Sequence, residues 1–219
     1  MDVRSLRGKL QPRFTVGDND TMLLFPHNRL VLATRNRGKV AEIADLLAGQ
    51  DVDISTAEDL DLPEVEETGT TFEENALLKA RSACEASGYA ALADDSGLSV
   101  AALGGAPGVY SADWAGEERD YGRAMERIQR EVEEATGDRR AFFVSQLVLY
   151  YPGGNVISAR GEVHGTLVFP PRGDAGFGYD PCFVPDGDER TFAQMTREEK
   201  SAFSHRSRAL RDLMTKILP

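Results

Sequence analysis

Downstream of Arg29 the chain alternates short apolar runs with amphipathic stretches. Leu30-Val31-Leu32-Ala33-Thr34 has the length and make-up of a buried strand, and a polar turn, Arg35-Asn36-Arg37-Gly38-Lys39, follows it. Val40, Ile43, Ala44 and Leu47 then recur at helical spacing up to Gly49, which predicts strand, loop, helix. Thr70 with Glu73 and Thr71 with Glu74 are both capping-box pairs, and they predict a helix from about 72 to 86 that Gly88 would end. A strand over 90–93 delivers Asp94-Asp95, where Ser96-Gly97 suggests that the strand stops; Gly104-Gly105-Ala106-Pro107-Gly108 excludes regular structure. Tyr121, Ala124, Met125, Ile128, Val132 and Ala135 share one face of a helix over 117–135. Stretches 141–151 and 156–168 read as strands joined at Pro152-Gly153-Gly154-Asn155, an antiparallel hairpin. A last capping box, Thr196 to Glu199, opens a helix that runs to Leu218 and leaves room for a break near Ser204-His205-Arg206.

Helices and strands interleave early and a hairpin comes late, so the fold class is α/β with a mixed sheet. Residues 1–27 carry no sustained period and read as a poorly ordered tail, leaving 28–219 as one domain. With 41% hydrophobic and 28% charged residues among 219, the composition is that of a soluble globular protein. No stretch approaches the roughly 18 apolar residues of a membrane span, and Met22-Leu23-Leu24-Phe25 stops at Pro26, too short for a signal peptide core; a cytoplasmic location is expected. Cys84 and Cys182 lie far apart and away from other metal ligands, which favours reduced thiols.

The net charge of -11 and pI near 4.8 oppose nucleic-acid and anionic-membrane partners, which need a basic footprint. An anionic small molecule would need local cations or a metal. Thr34-Arg35-Asn36-Arg37-Gly38-Lys39 supplies such cations ahead of a helix. It is not a P-loop, because Ala33 stands where the first glycine belongs and Val40 where Ser or Thr would hold the metal. It could hold a polyphosphate, or Arg35, Arg37 and Lys39 could be plain surface charges. Asp94-Asp95 is either a solvated turn or a pair of carboxylates suited to Mg²⁺, which takes one or two carboxylates and fills its shell with water and phosphate oxygens. Glu64-Val65-Glu66-Glu67 is a second acidic source or a solvated charge run. In Gly173-Asp174-Ala175-Gly176-Phe177-Gly178-Tyr179-Asp180-Pro181, glycines beside two rings would let a flat base stack on Phe177 or Tyr179, or the segment is a loop packed on the core. Lys200 and His205 are too far apart for one helical face, but a bend would bring both to one place.

Five segments in this order, ATRNRGKVAEI, EETGTTFEENALLKA, ADDSGLSVAALGGAPGVYSA, GFGYDPCFVP and TREEKSAFSHRSRAL, resemble the ITPase family, the HAM1 or RdgB-type XTP/dITP diphosphatases. The likeness covers about 30–218. It implies an elongated, two-lobed fold around a central mixed sheet with a substrate cleft, usually a homodimer. It also implies Mg²⁺-dependent hydrolysis of ITP, dITP and XTP to the monophosphate and pyrophosphate. Carried over by motif, Thr34, Arg35, Asn36, Arg37, Gly38 and Lys39 would bind the triphosphate, with Lys79 as a further phosphate contact. Asp95 would be the catalytic residue and a metal contact with Glu67 or Glu66, the former favoured, and Ser96 would touch substrate. Phe177, Gly178, Tyr179, Asp180, Lys200, His205 and Arg206 would surround base and sugar. Many relatives carry Gly where this chain has Arg35, which raises the question of a positive φ there.

Water would attack the α-phosphorus, and an aspartate of ordinary pKa near ~4 is a weak base, so Asp95 is expected to orient a metal-activated water. A donor such as Arg206 or His205 would accept a 6-oxo purine and reject adenine. Two other readings compete: a haloacid-dehalogenase-like phosphatase, disfavoured because its aspartates are spaced by one residue, and a nucleotide-sensing module without turnover.

Overall fold

The computed structural model describes residues 25–217. Positions 1–24 of the expected tail, and the expected helix end at Leu218, lie outside them. Phe25 is already buried in the apolar core, and Pro26–Asn28 form a single 3-10 turn, so ordered packing starts before position 28.

Six strands form one sheet in the order β2-β1-β3-β4-β5-β6. They are β1 Arg29–Leu32, β2 Asp53–Thr56, β3 Ala90–Val100, β4 Arg140–Tyr150, β5 Val156–Leu167 and β6 Phe183–Pro185. β1 runs parallel to β2 and β3, whereas β6 is antiparallel to β5. The sheet is mixed, and with helices α1 Arg37–Leu46, α2 Phe72–Ser87, α3 Tyr121–Ala135, α4 Arg197–Ser201 and α5 His205–Ile217 the fold is α/β as the pattern predicts. β2 and β6 lie outside that expectation. β2 has one large apolar side chain, Ile54, and β6 is three residues long, so neither carries a readable period.

The described residues divide into two compact units, the first made of 25–94, Gln146–Ala159 and 209–217, the second of Asp95–Ser145 and Arg160–Arg208. In the first, the period-2 alternation of strands sorts side chains to two cores. Leu30, Leu32, Ala90 and Leu92 pack with Ile43 and Leu47 beside α1 and with Leu210 and Leu213 of α5. Val31, Ala33, Ala91 and Ala93 pack with Ala76, Ala80 and Ala83 of α2. Strands buried on both faces read as continuous apolar runs, which is why β1 was legible. In the second unit, Ala124, Met125, Ile128 and Val132 of α3 bury against Leu98, Val100, Phe143, Val163, Phe183 and Phe192.

Several boundaries differ from expectation for identifiable reasons. α3 starts at Tyr121 and not at 117, because Gly116 and Arg119 adopt left-handed φ and the Asp120 side chain caps the Arg123 amide. β3 does not stop at Ser96-Gly97; it continues through Val100, and Gly97 keeps a φ outside the left-handed region. Of the two capping pairs before α2, Thr71 with Glu74 closes the box, Glu74 also accepts from Thr70, and these bonds hold its carboxyl below the usual range. Gly88 ends α2 in the left-handed conformation, as read from the sequence. The break in the last helix also stands, between Ser201 and His205. At the hairpin Tyr151 N–H donates to Asn155, with Gly153 and Gly154 at positive φ.

β6 covers only 165–167 of β5. Beyond it, the outward carbonyls of β5 are met by side chains of α5. Arg208 donates to Glu162 O at 3.0 Å and Lys216 to Ser158 O at 2.9 Å. An open strand edge is a template for another chain, and cations set against its carbonyls blunt it. Arg208→Ala combined with Lys216→Ala is therefore expected to produce concentration-dependent higher oligomers in sedimentation velocity. Profiles identical to the parent protein at all concentrations would contradict this.

Candidate active site

In the first unit the chemistry gathers where β1 ends. The Ala33 amide donates to Leu92 O of β3. Two ammonium groups meet the next carbonyl on that edge, Asp94 O. Lys39, in the first turn of α1, and Lys79, in α2, each donate to Asp94 O at 3.2 Å. The strand ends of parallel α/β sheets are where such folds place ligands. Lys39 Nζ is also 3.6 Å from Asp94 Oδ2, and Lys79 Nζ bonds Glu67 Oε1 at 3.1 Å.

Local sequence fixes each arm. Asn36 is the N-cap of α1, accepting from the Gly38 and Lys39 amides, and its own amide donates to Thr34 Oγ1. The helix thus begins at Arg37, so Arg37, Gly38 and Lys39 lie in its first turn and not in a loop before it, as the pattern had suggested. Arg35 has no positive φ, which settles the question raised by glycine in relatives; its guanidinium donates to Leu62 O. Arg37 stays exposed, 3.6 Å from Glu58. Glu64 and Glu66 are exposed, whereas Glu67 is bound to Lys79. Its loop is seated by a residue that sequence reasoning missed: buried Asn75 accepts the Gly69 amide at 2.7 Å. A Cβ at Gly69 would come within 2.5 Å of Asn75 Oδ1. The only signal was the EETG-to-Asn75 spacing across the capped helix start.

Because β3 runs on, adjacent Asp94 and Asp95 leave it on opposite faces, which corrects the expectation that a strand end lets both serve one side. Both are buried.

In the second unit Ser96 Oγ accepts from Arg206, at the start of α5, at 3.0 Å. Asp180 and Lys200 form a buried ion pair at 2.6 Å, their side chains 3% and 5% exposed. Asp180 Oδ2 also accepts the Phe177 amide at 3.0 Å. The Phe177 ring lies 4.9 Å from Lys200 Nζ and 5.8 Å from Arg206 Cζ, cation–π distances. Gly176 permits this: its φ is +73°, and a Cβ there would meet Asp180 Oδ2. Gly178 is likewise left-handed. Tyr179 is buried, donates to Ser111 O at 2.8 Å and meets Tyr121 edge-on, and burial pushes its phenol well up. Phe177 is the partly exposed ring of the two. His205 stacks on Phe143 at 4.8 Å. Glu199 caps α4 beneath Lys200, and bonds from Arg190 and the Thr196 amide keep its carboxyl low.

Burial raises the Cys84 thiol to about 11 and that of Cys182 to about 12, so both stay protonated and inert. Among the described residues no helix is long and apolar enough to cross a membrane.

A mixed α/β sheet that sets two lysines and two carboxylates at the end of a parallel strand has the make-up of a site for a phosphorylated ligand. The chain belongs to the Ham1 family, whose model spans residues 30–216. It is 56% identical over 194 residues to the dITP/XTP pyrophosphatase of Rhodospirillum centenum, covering 88% of this chain and 96% of that protein. It is 54% identical over 187 residues to the dITP/XTP pyrophosphatase of Gluconobacter oxydans, covering 85% and 89%. Among solved structures, a HAM1 protein from Coxiella burnetii is similar with a TM-score of 0.79 at 39% identity, over 85% of this chain and 96% of that one.

Proposed function

We propose that this protein is a diphosphatase that hydrolyses non-canonical purine nucleoside triphosphates, dITP, XTP and ITP, to the monophosphate and pyrophosphate. The observation that carries this reading is the pair Lys39 and Lys79, gathered on Asp94 O in a chain whose net charge is -11. Both ammonium groups also lie beside carboxylates of the protein, Asp94 and Glu67, and a phosphorylated ligand at this strand end would share them. The names of the relatives supply the ligand class.

On this reading Thr34 to Lys39, with Lys79, hold the triphosphate. Asn36 acts by seating the Gly38 and Lys39 amides, so Lys39 projects from a fixed helix start. The ammonium groups take up the charge that develops on the departing pyrophosphate. Asp95 is the catalytic residue: held in a buried strand position, it orients the water that attacks the α-phosphorus. Mg²⁺ is the proposed cofactor, since it needs only one or two carboxylates beside phosphate oxygens, and the family resemblance assigns Asp95 with Glu67 or Glu66 to hold it; among the described residues no three or more His, Cys, Asp or Glu gather as a metal cluster. When bound, it neutralises phosphate charge and lowers the pKa of water. Phe177 offers a stacking face, and Lys200, Arg206 and His205 surround base and sugar with Ser96, Gly178, Tyr179 and Asp180. Such donors pair with a 6-oxo purine and leave themselves unpaired against adenine, which discriminates strongly. We further propose a homodimer that works in the cytoplasm.

The test is pyrophosphate release from ITP, XTP, GTP and ATP at matched concentration, with and without Mg²⁺. ITP and XTP are expected to exceed ATP by at least about 100-fold in kcat/KM. Equal rates would refute the base reading, and orthophosphate as first product would favour a phosphatase.

A further inference from the structure

We propose that Asp94 is a positioning residue that sets Lys39 and Lys79 as a matched pair of phosphate-binding ammonium groups; this deepens the triphosphate reading of the site and rests on it. Asp94 is fully buried, 0% exposed, so its carboxylate cannot be a solvent-facing charge. It continues the series Ala90, Leu92 on the α1 face of β3, and there it meets Lys39 at 3.6 Å. Its carbonyl, in the plane of the sheet, is reached from α1 by Lys39 and from α2 by Lys79, each at 3.2 Å. One residue thereby binds two lysines that approach from opposite sides of the sheet.

Lysine is a point charge on a flexible four-carbon stem, and two of them brought to one carbonyl repel each other. Their side chains are only 14% and 13% exposed, so water screens that repulsion poorly. The Asp94 carboxylate compensates Lys39, and Glu67 compensates Lys79, so the four side chains sum to zero charge. Lys79 in turn holds Glu67, whose side chain is 44% exposed, so the position of Asp94 reaches as far as a carboxylate offered to a ligand.

The idea separates cleanly from simple electrostatics. If Asp94 were only a negative charge near an anion site, neutralising it would tighten anion binding. If it positions Lys39, neutralising it loosens binding, and it does so only while Lys39 is present. The experiment is a double-mutant cycle with Asp94→Asn and Lys39→Met in the full-length protein, read by calorimetric binding of inorganic triphosphate. Each single variant is expected to weaken binding at least about tenfold, and the double variant to be within about threefold of Lys39→Met alone. Circular dichroism and melting of Asp94→Asn establish that it folds. Tighter or unchanged binding by Asp94→Asn, or losses that multiply in the double variant, would overturn the proposal. Failure of the function reading looks different: coupled losses in triphosphate binding, with no pyrophosphate released from any purine triphosphate by the parent protein.

Discussion

Asp95→Asn is expected to cut pyrophosphate release from ITP by at least about 1,000-fold while leaving the melting temperature within a few degrees of the parent. The side chains are isosteric, so the buried strand position is kept. What changes is charge: Asn is a weak ligand for a hard cation and cannot accept a proton from water. Because the loss belongs to the transition state, it should fall on kcat, with KM for the Mg²⁺-bound substrate changed far less. The neighbouring carboxylate makes the contrast informative. Asp94 leaves β3 on the other face and meets Lys39, so Asp94→Asn should act on triphosphate binding. Near-normal turnover by Asp95→Asn with Mg²⁺ would remove Asp95 from the chemistry. A KM effect equal to the kcat effect would make it a binding group.

The contrast also shows how far the sequence could be read. Capping boxes at Thr71 and Thr196, Gly88 after α2 and the break ahead of His205 were all legible, because each is decided by neighbours within a few residues. The buried strand β1 was legible from its unbroken apolar run, and the hairpin from its glycines. The continuation of β3 through Asp94-Asp95-Ser96-Gly97 was not. Local propensity reads those four residues as a turn, yet they meet long-range partners, Lys39 and Lys79 at Asp94 O and Arg206 at Ser96 Oγ, and the strand runs on to Leu98, whose amide donates to Ser111 Oγ at 2.9 Å. The start of α3 was misplaced because apolar spacing cannot register the positive φ of Arg119. At the site, residue types were legible but their pairing was not. Lys79 was marked only as a further phosphate contact, and the topology of β1 beside β3 brings it to the same carbonyl as Lys39. Gly69 and Asn75 act through a contact that spacing alone does not reveal.

The largest effect on stability is expected from Lys200→Met. Lys200 and Asp180 are paired at 2.6 Å with almost no exposure, and Asp180 also accepts the Phe177 amide. Two charges out of water are offset by each other, so a buried pair adds little net stability over an apolar replacement. Breaking it is another matter, because the surviving carboxylate stays buried and loses the Lys200 ammonium. Lys200→Met should cost about 3–5 kcal/mol, or roughly 10 °C in melting temperature for a chain of this size. Lys200→Met with Asp180→Leu should recover much of that loss, since no lone charge is left inside. Activity should not recover with it. The Phe177 amide loses its acceptor, its ring loses the cation 4.9 Å away, and the donors proposed for the purine are reduced by one. Gly176→Ala tests the same arrangement from the backbone: its Cβ would displace the Asp180 carboxylate, at a φ of +73° that alanine rarely adopts. Melting curves separate the outcomes. If Lys200→Met melts with the parent protein, the pair is not the sealed contact described here. If the double variant regains both stability and ITP hydrolysis, the pair serves packing, and the base must be recognised by Arg206 and His205 alone.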